Sequence, residues 1–113
     1  MASVDEVWIV DFGEPFPGEP AQQRPSVVVG PTPEWNRLLP YVIVVPLTTI
    51  GRHMPELHVE IEPDEDNRLD AVSYAQCELL RSVSERRLIH QVGTVDPMTS
   101  GHVEAVIRDL LGY

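Results

Sequence analysis

Two short stretches carry residue types that act on charged oxygens. One is QQRP, residues 22–25; the other is PLTTIGRH, residues 46–53. Each stands where an apolar run meets a polar loop. An arginine beside a buried strand is costly unless something negative meets it. A guanidinium can clamp two phosphate oxygens, and a threonine hydroxyl can donate to or position a third group. Arg24 and Thr48 therefore make a phosphate site if the fold brings the two strand ends together. The same pattern also fits an arginine that caps strand-end carbonyls, and spacing alone does not choose between the two.

The other reactive residue types read as structural. Asp64, Glu65 and Asp66 fit no calcium loop, because the sharp-turn glycine and the bidentate carboxylate are missing. They read as a solvated turn. His53, His58, His90 and His102 show no ligand spacing such as H-x-x-x-H. His58 falls on the polar face of its strand and His102 beside the apolar stripe of a helix. His53 differs, since it follows Arg52 in a loop after the central strand. Cys77 reads as a small buried hydrophobe. As the only cysteine it forms no internal disulfide, which favours a reducing compartment. Gly13 and Gly18 are too sparse for a phosphate-cradling loop. Neither a metal nor a cofactor is expected.

The chain has 113 residues, 42% hydrophobic and 23% charged, which suits one folded domain over 1–113. Its formal charge is -10, and all eight basic residues are arginine. An acidic surface repels phosphate and argues weakly against nucleic acid, although a local arginine cluster outweighs net charge at one site. The acidic start MASVDEVWIV does not read as a signal peptide, and the apolar run from Tyr41 to Leu47 is far too short for a membrane span. A cytoplasmic protein is expected.

The elements that must position Arg24 and Thr48 follow from patterning. Glu6–Phe12 is rich in β-formers and reads as a first strand. Residues 13–23 hold three prolines and two glycines and read as a long loop. Pro25–Gly30 is a second strand, with proline at a tolerated first position. Residues 31–40 connect it to a nearly all-apolar central strand, Tyr41–Leu47. Leu57–Glu62 alternates and reads as half-exposed. Val72–Leu80 reads as a fifth strand, Ser84–Leu88 as one helical turn and Ile89–Val95 as a last strand. Asp96, Pro97 and Gly112 bracket a terminal helix, with Val103, Val106, Ile107, Leu110 and Leu111 as its apolar stripe. Six short strands and one helix predict a small, strongly bent barrel with the helix packed on it.

From about Asp5 to Gly112 the sequence resembles the MazF/PemK family, the toxin endoribonucleases of type II toxin–antitoxin pairs. The resemblance is carried by EVWIVDFGEP, RPSVVV, Asn36-Arg37, VIVVPLTT, HVEI, LLRSVSERRL and VEAVIRDLLG, in that order and spacing. It implies a mainly β, SH3-like barrel with a C-terminal α-helix. It further implies a homodimer that cuts single-stranded RNA without metal, leaving 2′,3′-cyclic phosphate and 5′-hydroxyl ends. A cognate antitoxin protein would block the RNA groove. By motif match Arg24 corresponds to the catalytic arginine of the R-P pair and Thr48 to the first hydroxyl residue of P-L-T-[ST]. Glu19, Gln23, Thr49, Arg52, His53, Glu78, Arg81 and Arg86 are further candidates for contact with RNA, and His53 and Glu19 are candidates for a part in removing the 2′-proton. For an acidic chain to bind RNA, Arg24, Arg52, Arg81, Arg86 and Arg87 must include a local basic groove.

The sequence departs from the family pattern at three places. In PGEPAQQRP, Glu19 is kept, Pro20 stands where glutamine is usual, and Ala21 and Gln22 replace glycines. A stiffer loop follows. The second strand leads into Gly30-Pro31-Thr32 rather than an Asn-Asp pair, and Glu78 is followed by Leu79 rather than glutamine. Two alternatives stand beside the nuclease: a binding toxin of the same fold, as in the CcdB gyrase inhibitors, and a weakly active regulatory homologue. The helix end RDLLGY lacks a tryptophan or comparable anchor for the first of these.

Overall fold

The computed structural model describes residues 2–51 and 54–113. Seven strands and two helices follow one another: β1 (Glu6–Asp11), β2 (Gln23–Gly30), α1 (Pro33–Asn36), β3 (Tyr41–Thr48), β4 (His58–Ile61), β5 (Ser73–Gln76), β6 (Arg81–Ser84), β7 (Leu88–Thr94) and α2 (Pro97–Leu111). All pairings are antiparallel, and the hydrogen-bonded path runs β4-β5-β3-β2-β1-β7, with β6 beside β3. The sheet is mainly β with a terminal helix, as expected, but its ladder among the described residues stays open rather than closing into a ring. Register shifts between β1 and β7 bend that end, since an extra residue on one strand raises local twist.

Alternation along the strands sends apolar residues to both faces. Val7, Val27, Val45, Leu47, Val59 and Ala75 form one core, which Val103 of α2 covers with help from Val106 and Ile107. Val10, Phe12, Val28, Val42, Val44 and Val83 form a second core on the opposite face. Helix α2 starts and stops where local chemistry requires. The Asp96 side chain accepts from the Thr99 N–H at 2.7 Å, Pro97 opens the first turn and Gly112 closes the helix at φ 82°. Leu110 and Leu111, at the end of its apolar stripe, remain exposed.

Several expected boundaries move. Strand β2 starts at Gln23, so Arg24 lies within a paired strand opposite Val10. Part of the 31–40 connection coils into α1. The expected fifth strand, 72–80, breaks after Gln76 into a 3₁₀ turn, Cys77–Leu79, and a separate β6 follows. The cause is the shared edge of β3. Leu47 pairs with Ala75, which in unbroken register would put Val44 opposite Glu78; Val44 instead pairs with Arg81. The turn absorbs the slip. The expected helical turn near 84–88 is a 3₁₀ turn at Glu85–Arg87.

His58 also needs correction. It lies on the polar face of β4, as alternation requires, yet it is buried. Glu78, swung in by the 3₁₀ turn, meets its Nε2 at 2.9 Å.

Two loops are fixed by specific bonds. In the 63–70 turn, Asp64 Oδ1 accepts from the backbone N–H of Asp66 at 2.9 Å and of Asn67 at 2.7 Å, and buried Asn67 donates to the Glu62 carbonyl at 2.8 Å. The turn packs on Gly93, where a Cβ would collide with the Asp66 carbonyl oxygen and lie 2.6 Å from that of Asn67. The 13–22 loop is tied at its neck, where Phe12 N–H donates to Gln22 O and Gln22 N–H to Gly13 O, each at 2.8 Å. Pro20 is buried, and Gln22 sits at φ 57°.

Three consequences can be measured. Gly93→Ala should destabilise the fold by about 3 kcal/mol, because the colliding atoms are backbone; a denaturant midpoint equal to wild type would refute the close approach. Gln22→Gly should stabilise by about 1 kcal/mol by relieving the left-handed conformation, read from the same titration. Asp96 accepts amide hydrogens only in the folded state, which holds its carboxyl below the ordinary aspartate value. Its contribution is therefore full above the unfolded-state pKa and is lost as pH falls through the lower, folded one. Asp96→Asn, which still caps, should flatten the acid limb of a Tm-against-pH curve.

Candidate active site at the ends of β2 and β3

The β2–β3 register pairs Ser26 with Pro46. Two residues further out, the same alignment puts Arg24 opposite Thr48, and directly opposed residues share a face. The ladder continues outward, because Thr48 pairs with Tyr74 and Tyr74 with Glu60. One row across four strands thus reads Arg24, Thr48, Tyr74, Glu60. The next row inward ends in Gln76 opposite His58. Arg24, Pro25, Leu47, Thr48, Thr49, Ile50 and Ser73 line a cavity of about 260 Å³ at these strand ends.

Arg24 is half-buried, and burial pulls its guanidinium below the ordinary arginine value. Arginine nevertheless stays charged, since its ordinary value lies so far above neutrality. Its Nη1 donates to Gln76 Oε1 at 3.3 Å. Thr48 Oγ1 accepts from the Ile50 N–H at 3.2 Å. That bond occupies one lone pair and leaves the hydroxyl hydrogen available to donate.

The remaining sequence-derived residues divide into groups. Thr49 lines the cavity. Gln23 is exposed at the start of β2, paired with Asp11. Glu19 is spent within its own loop, where its Oε1 accepts from the Phe16 N–H at 2.8 Å. Glu78 is bound to His58 and does not line the cavity. Arg81 lies over the Phe12 ring, 5.7 Å from its centroid, and Arg87 Nη1 donates to the Asp11 carbonyl at 3.1 Å. Both therefore gather at the end of β1 that adjoins Arg24. Arg86 is exposed on the neighbouring 3₁₀ turn. Arg52 and His53 lie outside the described residues.

Sequence reasoning missed two residues here, Gln76 and Ser73. Gln76 touches Arg24 across 52 positions of sequence. Ser73 is buried at the cavity wall and donates to the Ala71 carbonyl at 3.0 Å. Only strand register reveals either. Cys77 is buried as expected; burial, with the charge of Glu78 beside it, pushes its thiol up to about 11, so it is no nucleophile near neutrality. Among the described residues no three His, Cys, Asp or Glu side chains cluster as a metal site, and no helix is long and apolar enough to cross a membrane.

This architecture has close structural counterparts. A Deinococcus radiodurans MazF superposes with a TM-score of 0.83 at 19% identity, covering 99% of this chain and 97% of that one. An endoribonuclease in complex with its cognate antitoxin, from a mycobacterial species, gives 0.79 at 23% identity over 99% and 96% of the two chains. The Mycobacterium tuberculosis toxin MazF-mt6 gives 0.76 at 18% identity over 95% and 96%. At such identities the likeness shows the fold alone. The family model of the PemK-like, MazF-like toxins of type II toxin–antitoxin systems matches residues 4–111. Over nearly its whole length, then, the chain belongs to the PemK/MazF-like toxin family.

Proposed function

We propose that this toxin is a metal-independent endoribonuclease that cuts single-stranded RNA at a site built on Arg24 and Thr48. The observation that carries the reading is that both line one open cavity at the ends of adjacent strands, where the β2–β3 register carried two residues outward sets them opposite one another.

The chemistry needs little more from the protein. The ribose 2′-hydroxyl is its own nucleophile: as its oxygen bonds to the adjacent phosphorus in line, its proton passes to solvent, the bond from phosphorus to the 5′-oxygen breaks, and that oxygen takes up a proton from solvent to become a hydroxyl. The enzyme must orient that backbone and neutralise charge growing on the non-bridging oxygens. Arg24 suits the second task, being charged and partly desolvated, and can give a proton-bearing contact to the leaving oxygen. Thr48, its oxygen fixed by the Ile50 N–H, directs its hydroxyl hydrogen to the phosphate. The products are a 2′,3′-cyclic phosphate and a 5′-hydroxyl.

Arg81, Arg86 and Arg87 would supply a basic approach to this end of the sheet, with Thr49 and Gln23 at the rim. Glu19 would act through the shape of its loop. In the same reading the protein is a homodimer of single 1–113 domains in the cytoplasm, restrained by a cognate antitoxin that competes for the RNA groove.

Purified protein should cut a long single-stranded RNA in the presence of EDTA, with the ends named above. Arg24→Ala and Thr48→Ala should each slow cutting by at least about 100-fold. RNA left intact by the wild type would defeat the nuclease reading in favour of a binding or regulatory toxin. Undiminished cutting by the Arg24 variant would defeat only the assignment of that residue.

A further inference from the structure

We propose that Gln76 is a positioning residue for Arg24, holding the guanidinium over the strand-end cavity through a neutral acceptor that leaves its charge intact. The inference rests on the nuclease reading above for its catalytic meaning, but the contact itself does not.

The bond has only one chemical sense. Arginine has donors and no acceptor, so the group that meets Nη1 must be the amide oxygen of Gln76, as the 3.3 Å contact to Oε1 has it. Among the described residues Arg24 forms no ion pair. A half-buried guanidinium on a flexible stem would otherwise sample many rotamers or turn outward to water. One neutral hydrogen bond limits that freedom while the other donors stay available to a phosphate. A carboxylate at the same place would hold the group more firmly and cancel the charge the reaction needs.

Gln76 is itself well held. It is the last residue of β5, paired with His58 on β4, and the next amide, Cys77 N–H, donates to the Leu57 carbonyl at 3.2 Å. His58 is buried and bound to Glu78, which is anchored in the 3₁₀ turn immediately after Gln76. The amide therefore projects from a backbone held against β4. The extended β2–β3 register sets Arg24 opposite Thr48 and Gln76 lies one row in, so the bond runs diagonally across the sheet.

Two variants test this. Gln76→Met keeps size and removes the acceptor; Gln76→Glu keeps shape and adds charge. In the RNA-free protein, the ¹⁵N signals of the Arg24 guanidinium, assigned with Arg24→Lys, should show hindered rotation in the wild type and in Gln76→Glu, and free rotation in Gln76→Met. In RNA cleavage Gln76→Met should lower kcat about tenfold with KM changed less than about twofold, the pattern of a misplaced transition-state contact. Gln76→Glu should lower kcat at least as far although its arginine is held. An Arg24 signal that is the same in wild type and Gln76→Met, or a Gln76→Met kcat equal to wild type, overturns the proposal while the nuclease reading stands. If the wild type cuts no RNA, the nuclease reading fails, and the guanidinium spectrum still decides whether Gln76 holds Arg24.

Discussion

The shared edge of β3 is the constraint on which the site depends. One eight-residue strand pairs with β2 along one side and with both β5 and β6 along the other. Two strands cannot occupy one edge in continuous register when the sheet bends between them, so the chain slips at Cys77–Leu79. That slip has three results. It ends β5 at Gln76, whose side chain reaches Arg24. It turns Glu78 back onto His58, filling the polar face of β4. It starts β6 at Arg81, which reaches across to Phe12. Side chains from distant parts of the sequence meet because of one local break in pairing.

The same geometry separates positive from negative charge in an acidic chain. Arg81 and Arg87 collect around the C-terminal end of β1, by contacts to Phe12 and the Asp11 carbonyl, while Arg24 on the adjoining β2 reaches over β3 to Gln76. The acidic run Asp64–Asp66 is pinned at the other end, where Thr94 N–H donates to the Asp66 carbonyl and Thr94 pairs with Glu6. Six residues of strand separate the two ends, about 20 Å, more than twice the screening length at physiological salt, about 8 Å. Two carboxylates at this end are turned into their own loop, where Asp11 accepts from the Gly13 N–H and Glu19 from the Phe16 N–H. Net charge therefore misleads where distribution decides.

What was legible in the sequence was what local chemistry fixes. Asp96, Pro97 and Gly112 bracket α2 because caps are decided within a turn. The alternation of Leu57–Glu62 and the apolar run of Tyr41–Leu47 are likewise properties of a few neighbouring residues. Arg24 and Thr48 stood out because both mark strand ends, and antiparallel neighbours bring such ends together. The break after Gln76 was hidden, since Val72–Leu80 holds no glycine or proline to mark it and the interruption comes from β3, not from those residues. His58 looked exposed because its partner is 20 positions away, and Gln76 looked ordinary because its partner is 52 away. Register between distant strands is what patterning cannot supply.

The loop before Arg24 shows how departures from a family pattern are accommodated. Where the resemblance places glycines, this chain has Ala21 and Gln22, and Gln22 takes the left-handed conformation a glycine would adopt freely. That costs about 1 kcal/mol. The cost is sustained because the surroundings over-determine the neck: Gln22 both donates and accepts across it, Pro20 is buried and Glu19 closes the turn through Phe16. A glycine-rich loop has more conformational freedom to lose on ordering, at an entropic cost per residue. Here much of that ordering is already present in the free protein, exchanged for a small strain two residues from Arg24. The loop, the Gln76 bond and the Ile50 bond to Thr48 then act in the same direction. Each fixes one part of the candidate site through contacts within the chain itself.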